Sequence, residues 1–178
     1  MNTRNTLFAA FAAVTLAGLA ADATADGMAY GRSQAPAPLE GTWIVTVRPI
    51  FCSGPNAGND VPNIPAVTSY LTFGPGGALV ESTSNPAFGV GSRGPGHGAW
   101  ERTGRTSYQF VMQAFLSQPA APYQSGHQRI DQTVEMQSME DWTSSGPVQF
   151  FNVFDRTATP DLKPYRAGCA RSTGIRLY

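Results

Sequence analysis

Lysine is nearly missing from this chain. Lys163 is the one lysine among 12 basic residues, which 12 acidic residues balance to a formal charge of zero. Charged residues make up only 13% of the sequence. A neutral surface of this kind gives no electrostatic attraction to nucleic acid or to an anionic membrane. Arginine in place of lysine suits fixed pairing better than simple solvation. Histidine occurs only as His97 and His127, and neither lies at a zinc-type spacing. Gly-x-Ser-x-Gly, a phosphate-binding loop and a Cys-His arrangement are all missing, so no catalytic residue, metal or cofactor is assigned. Past the N-terminal region no run is apolar for long enough to span a bilayer, and none of about ten residues or more carries helical periodicity.

The N-terminal region itself reads as a targeting segment. Arg4 lies in a short polar stretch, Leu7 to Leu19 is apolar and alanine-rich, and Ala23-Thr24-Ala25 supplies a small-x-small cleavage pattern. Residues 1–25 are therefore expected to be a signal peptide, and the mature protein periplasmic or secreted, without a membrane span. No cysteine follows the apolar run, so a lipid anchor is not expected. Residues 26–39, with Ala35-Pro36-Ala37-Pro38, read as a flexible lead-in. The remainder, 40–178, is long enough for one domain with a real core.

From Gly41 onward, short runs of Val, Ile, Phe, Tyr and Thr are punctuated by Gly, Pro and Asn, an all-β signature. Eight strands are predicted: Thr42–Cys52, Ala66–Phe73, Ala78–Ser84, His97–Arg102, Thr106–Ser117, Gln128–Ser138, Val148–Asp155 and Gly168–Tyr178. A three-residue loop at Thr103-Gly104-Arg105 would set Trp100 opposite Tyr108 and Gly98 opposite Phe110. The long connections, Ser53–Pro65, Asn85–Gly96, Gln118–Gly126 and Arg156–Ala167, follow odd-numbered strands, and the shorter ones follow even-numbered strands. In a meander those two sets fall at opposite ends. The expected fold is thus an eight-stranded antiparallel up-and-down barrel with one open mouth.

Two cysteines in an exported chain read first as one disulfide, Cys52–Cys169. Placing them opposite each other would pair the first and last strands and close the barrel. Antiparallel register then sets Trp43 across from Tyr178 and diagonal to Arg176. On the Trp43 face the last strand offers Ala170, Ser172, Gly174 and Arg176, small residues suited to a narrow interior.

Gly41-Thr42-Trp43 with Arg176 near the end of the last strand resembles the lipocalin, or calycin, signature. The run Gly94-Pro95-Gly96-His97-Gly98-Ala99-Trp100-Glu101-Arg102-Thr103-Gly104 is similar to small bacterial lipocalin-like proteins. The resemblance implies a structural floor in which Arg176 packs across Trp43 by a cation–π contact. It also implies a small hydrophobic or amphipathic ligand held inside. The expected ligand-binding residues are Trp100, Tyr108, Phe110 and Met112, with Gly98, Gly174 and Ala170 leaving room beside them. Arg102, if inward, could meet a carboxylate or phenolate.

Two other readings of the same residues stay open. A small-barrel cyclase or isomerase acting on a hydrophobic substrate would use Glu101, Arg102 and Tyr108. An interaction or inhibitor module would use its mouth loops, with Phe88, Tyr123 and Tyr165 as anchors. His97 and Glu101 share a face but lie roughly 13 Å apart along one strand, too far for one metal ion.

Overall fold

The computed structural model describes residues 37–89, 91–117, 125–151 and 163–178. The predicted signal peptide and most of the lead-in lie outside these residues. Eight strands close into one antiparallel barrel in sequence order: β1 Gly41–Ile50, β2 Val67–Phe73, β3 Ala78–Thr83, β4 Arg93–Arg102, β5 Ser107–Ser117, β6 Ser125–Met136, β7 Asp141–Phe151 and β8 Arg166–Arg176. β8 returns to pair with β1, which closes the sheet on itself. Among the described residues no helix is long and apolar enough to cross a membrane.

Alternation along the strands decides what fills the barrel. In β5, Tyr108, Phe110, Met112, Ala114 and Leu116 are all buried while the residues between them are not, as period-two geometry requires of a wall with one dry face. The connections sort by end more sharply than the sequence suggests. β2–β3, β4–β5 and β6–β7 are joined through 74–77, 103–106 and 137–140, all at one end, and the longer connections all lie at the other.

Three strands start at least three residues earlier than predicted. β4 begins at Arg93 instead of His97, β6 at Ser125 instead of Gln128, and β7 at Asp141 instead of Val148, while the last residues predicted for that strand, 152–155, lie outside the described residues. Gly94-Pro95-Gly96 and Gly146-Pro147 look like turn signals, but both pairs of breakers lie inside strands. The register shifts between Arg93 and Gly96, a bulge that absorbs Pro95. The β6–β7 ladder skips Gly146 and Pro147, so the missing N–H of Pro147 costs no bond there. A Cβ on Gly146 would lie 2.1 Å from the Asp131 carbonyl oxygen, so the close approach of β6 and β7 requires glycine.

Two registers differ from expectation by two residues. Trp43 stands directly across from Arg176, not Tyr178, because Cys169 pairs with Ile50 in the ladder and Cys52 reaches it from beyond the strand end. The disulfide Cys52–Cys169 is present, with the Cα atoms 5.2 Å apart. Trp100 faces Phe110, and Arg102 faces Tyr108, because five residues, 103–107, separate Arg102 from its partner where three were assumed. A shift of two leaves every side chain on its expected face.

The floor is built from the N-terminal end of the described chain. Residues 37–40 form a turn, Glu40 N–H donating to Ala37 O at 2.8 Å, which delivers Leu39 into complete burial. Leu39, read above as lead-in, is thus part of the core. Its carbonyl accepts from Trp43 Nε1 at 2.9 Å. Arg176 lies over Trp43, its Cζ 4.2 Å from the ring centroid, and donates through Nη1 to Glu40 O and through Nε to Met139 O, each at 2.8 Å. One guanidinium therefore ties the entering chain and the β6–β7 turn to the tryptophan. Gly41 is needed beneath it: its φ is +125°, and a Cβ there would lie 2.7 Å from Arg176 Nη1.

Candidate functional site

The barrel interior has two unlike halves. Toward the closed end Phe73 sits edge-on to Trp100, Phe110 and Trp142, at centroid distances of 6.0, 5.8 and 6.2 Å, and Trp142 meets Trp43 at 6.1 Å. Such edge-to-face pairs each contribute about 0.5–1.5 kcal/mol beyond their area burial. Leu71, Leu79, Tyr108, Met112 and Val134 join them in one continuous core.

The room expected beside the inward glycines is taken by this packing. A Cβ on Gly174 would lie 2.2 Å from Trp142 Cε2, so the indole occupies the space that glycine leaves. At Gly98 the β5 backbone itself comes within 2.0 Å of the same position. The glycines here let strands and rings approach each other.

Toward the mouth small and polar side chains join apolar ones such as Leu116 at the inward positions. Ser69, Glu81, Gln128, Gln132, Ser144 and Ser172 are all buried, beside Ala114 and Ala170. Glu81 is in phase with Leu79 on β3 and so faces inward. Arg93 reaches it from the first residue of β4, Nη1 to Oε2 at 2.8 Å, with both side chains only 3% exposed. Ser69 Oγ donates to the other carboxylate oxygen at 3.2 Å. Arg93 Nε donates to Gln128 Oε1 at 2.6 Å, and Nη1 also to Gly94 O at 3.1 Å. A second layer lies deeper, where Gln132 Oε1 accepts from Ser144 Oγ at 2.6 Å and from Ser172 Oγ at 3.3 Å. Gly96 makes space for the ion pair: a Cβ there would lie 2.8 Å from Glu81 Oε2 and 3.2 Å from Met112 Sδ.

Arg93 also lines a crevice of about 260 Å³ under the β3–β4 connection, with Asn85, Pro86 and Gly89. Phe88 packs its ring 5.8 Å from the Arg93 guanidinium carbon. Arg93 is thus shared between the interior ion pair and the rim.

Of the residues expected from sequence to bind ligand, Trp100, Tyr108, Phe110 and Met112 come together, in the closed-end core. Arg102 does not join them. It is exposed, donates to the carbonyls of Gly104 and Arg105, and lies with its Cζ 5.8 Å from the Tyr108 ring centroid, bracing the β4–β5 turn. Glu101 is exposed on the outer face beside it. Tyr165 is exposed next to Phe150, and Tyr123 lies outside the described residues. The histidines line a groove of about 470 Å³ on the outer wall, His97 on β4 and His127 on β6, with the β5 residues Gln113 and Phe115 between them. No group of three or more potential metal ligands gathers among the described residues.

Sequence reasoning missed the Ser69–Glu81–Arg93–Gln128 cluster. Glu81 carried a readable signal, two residues after the inward Leu79. Arg93 carried none, since the bulge that turns it inward hides behind Gly94-Pro95-Gly96. Comparison of the chain with protein-family models, with curated proteins and with solved structures finds no match.

Proposed function

We propose that this protein is an exported, lipocalin-like binder of one small amphipathic molecule, taken up through the open end of the barrel. The polar end of the ligand would meet the Arg93–Glu81–Gln128 cluster. Its apolar part would rest on the top of the aromatic floor, at Met112 and Phe110, with Trp100 and Tyr108 behind them. Arg102 would act indirectly, by holding the turn next to Tyr108. The signal-like N-terminus and the single disulfide support export to a periplasmic or extracellular compartment.

One observation carries the reading: a buried ion pair occupies the mouth half of a barrel whose other half is filled by aromatic rings. Desolvating two charges costs more than their attraction commonly returns, and apolar replacements of the same volume are often as stable or better. The floor fills the same interior mainly with aromatic and aliphatic side chains and carries no buried charge among the described residues, its buried polar atoms without a partner being Tyr108 Oη and Trp142 Nε1. Polar groups retained against that option support a functional role for this cluster.

Native mass spectrometry of protein purified from its own host tests the proposal. A mass above that of the mature chain, released by organic extraction as one small compound or a narrow set of them, is the expected result. Protein that carries nothing, and takes up nothing from a lipid extract of that host, would overturn it.

A further inference from the structure

We infer that the ligand's polar end is a neutral hydrogen-bond acceptor, such as a ketone, ester or amide carbonyl, and neither a carboxylate nor an ammonium group. This rests on the binding site proposed above and specifies its chemistry.

Arginine only donates hydrogen bonds. Gln128 must therefore present its oxygen to Arg93 Nε, as the 2.6 Å contact has it, and its amide NH2 is turned away from Arg93. Among the described residues no acceptor engages that NH2, nor Arg93 Nη2. The cluster thus presents donors and lacks acceptors for them, while the carboxylate of Glu81 is already engaged by Arg93 and Ser69.

Charge decides between acceptors. Glu81 and Arg93 are the buried charges of the mouth half among the described residues, and they cancel. A ligand carboxylate would enter beside Glu81 and leave the site with one unpaired negative charge out of water, a costly state. An ammonium would enter beside Arg93 and leave the site with one unpaired positive charge, because the Glu81 charge that could answer it is already matched by Arg93. A carbonyl oxygen accepts from both NH2 groups and adds no charge. Arg166 at the rim is exposed, so water screens its charge and it gives an anion little help.

The test is a matched series on the mature wild-type protein: methyl decanoate, decanamide, decanoate and decylamine, titrated by calorimetry at neutral pH below their aggregation limits. The ester and amide should bind about tenfold or more tightly than the acid and the amine, the ratio expected for one buried hydrogen-bonding group satisfied or not. Gln128→Leu removes the NH2 without adding charge and should weaken the ester and the amide by most of that factor while leaving the acid and the amine little changed. Gln128→Glu, which adds a negative charge beside Glu81, should weaken decanoate further and favour decylamine. Decanoate binding as tightly as the ester, or tighter, overturns the inference while leaving a ligand site in place. No binding by any of the four to folded protein overturns the inference and the binding site together.

Discussion

The two halves of this barrel are made by the same eight strands with the same alternation, yet they solve opposite problems. At the closed end, Trp43, Phe73, Phe110 and Trp142 interlock and Leu39 plugs the gap beneath them. At the mouth, equivalent inward positions hold Ser69, Glu81, Gln128 and Ser172. The first half is packed as a stability device. The second keeps charge and hydrogen bonding where hydrocarbon would serve the fold as well. The contrast separates residues that hold the barrel shut from residues available to a ligand.

Substitution can break that contrast from either side. The largest losses are expected at the floor. Trp142→Ala empties the space shared with Gly174 and Trp43 and should cost about 3–5 kcal/mol in urea unfolding. At the mouth, Arg93→Met alone leaves Glu81 buried and unpaired and should cost a similar amount, about 3–5 kcal/mol. The double variant Glu81→Leu/Arg93→Met should recover that loss, ending neutral or about 1–4 kcal/mol more stable than wild type. Rescue by the second change is what separates the two halves, because no second polar-to-apolar change exists to rescue the floor. Removing the disulfide by Cys52→Ser/Cys169→Ser releases a seam that spans 117 residues, and should cost about 2–5 kcal/mol. On the outer wall Asp60 meets Arg171 at 2.7 Å and Arg48 at 3.7 Å in solvent. Asp60→Ala should cost about 0.2–1 kcal/mol, less at high salt.

How far the sequence was legible follows the same division. The barrel could be read because alternation and connection lengths are local signals, and an even register error cannot change which face a residue takes. That is why Trp43 and Arg176 meet although the disulfide was placed two residues out of register. The disulfide misled because Cys52 lies beyond the end of β1, where sequence spacing no longer measures the ladder. The site was less legible. Trp142 escaped notice because Gly146-Pro147 looked like the start of a turn, when it is an interruption inside β7. Arg93 escaped for a similar reason, since a bulge is a tertiary solution that single-residue propensities do not reveal. Arg102 drew attention as the arginine nearest the aromatic run, but its strand position places it on the turn at the closed end.

A ligand held by the mouth half and not by the floor would depend on the buried Glu81–Arg93 pair. That dependence is tested most directly by offering one host lipid extract to wild-type protein and to Glu81→Leu/Arg93→Met, both verified as folded by circular dichroism, and weighing each by native mass spectrometry. The expected result is a bound small molecule on the wild type and its loss from the double variant. Equal loading of the two proteins would contradict it.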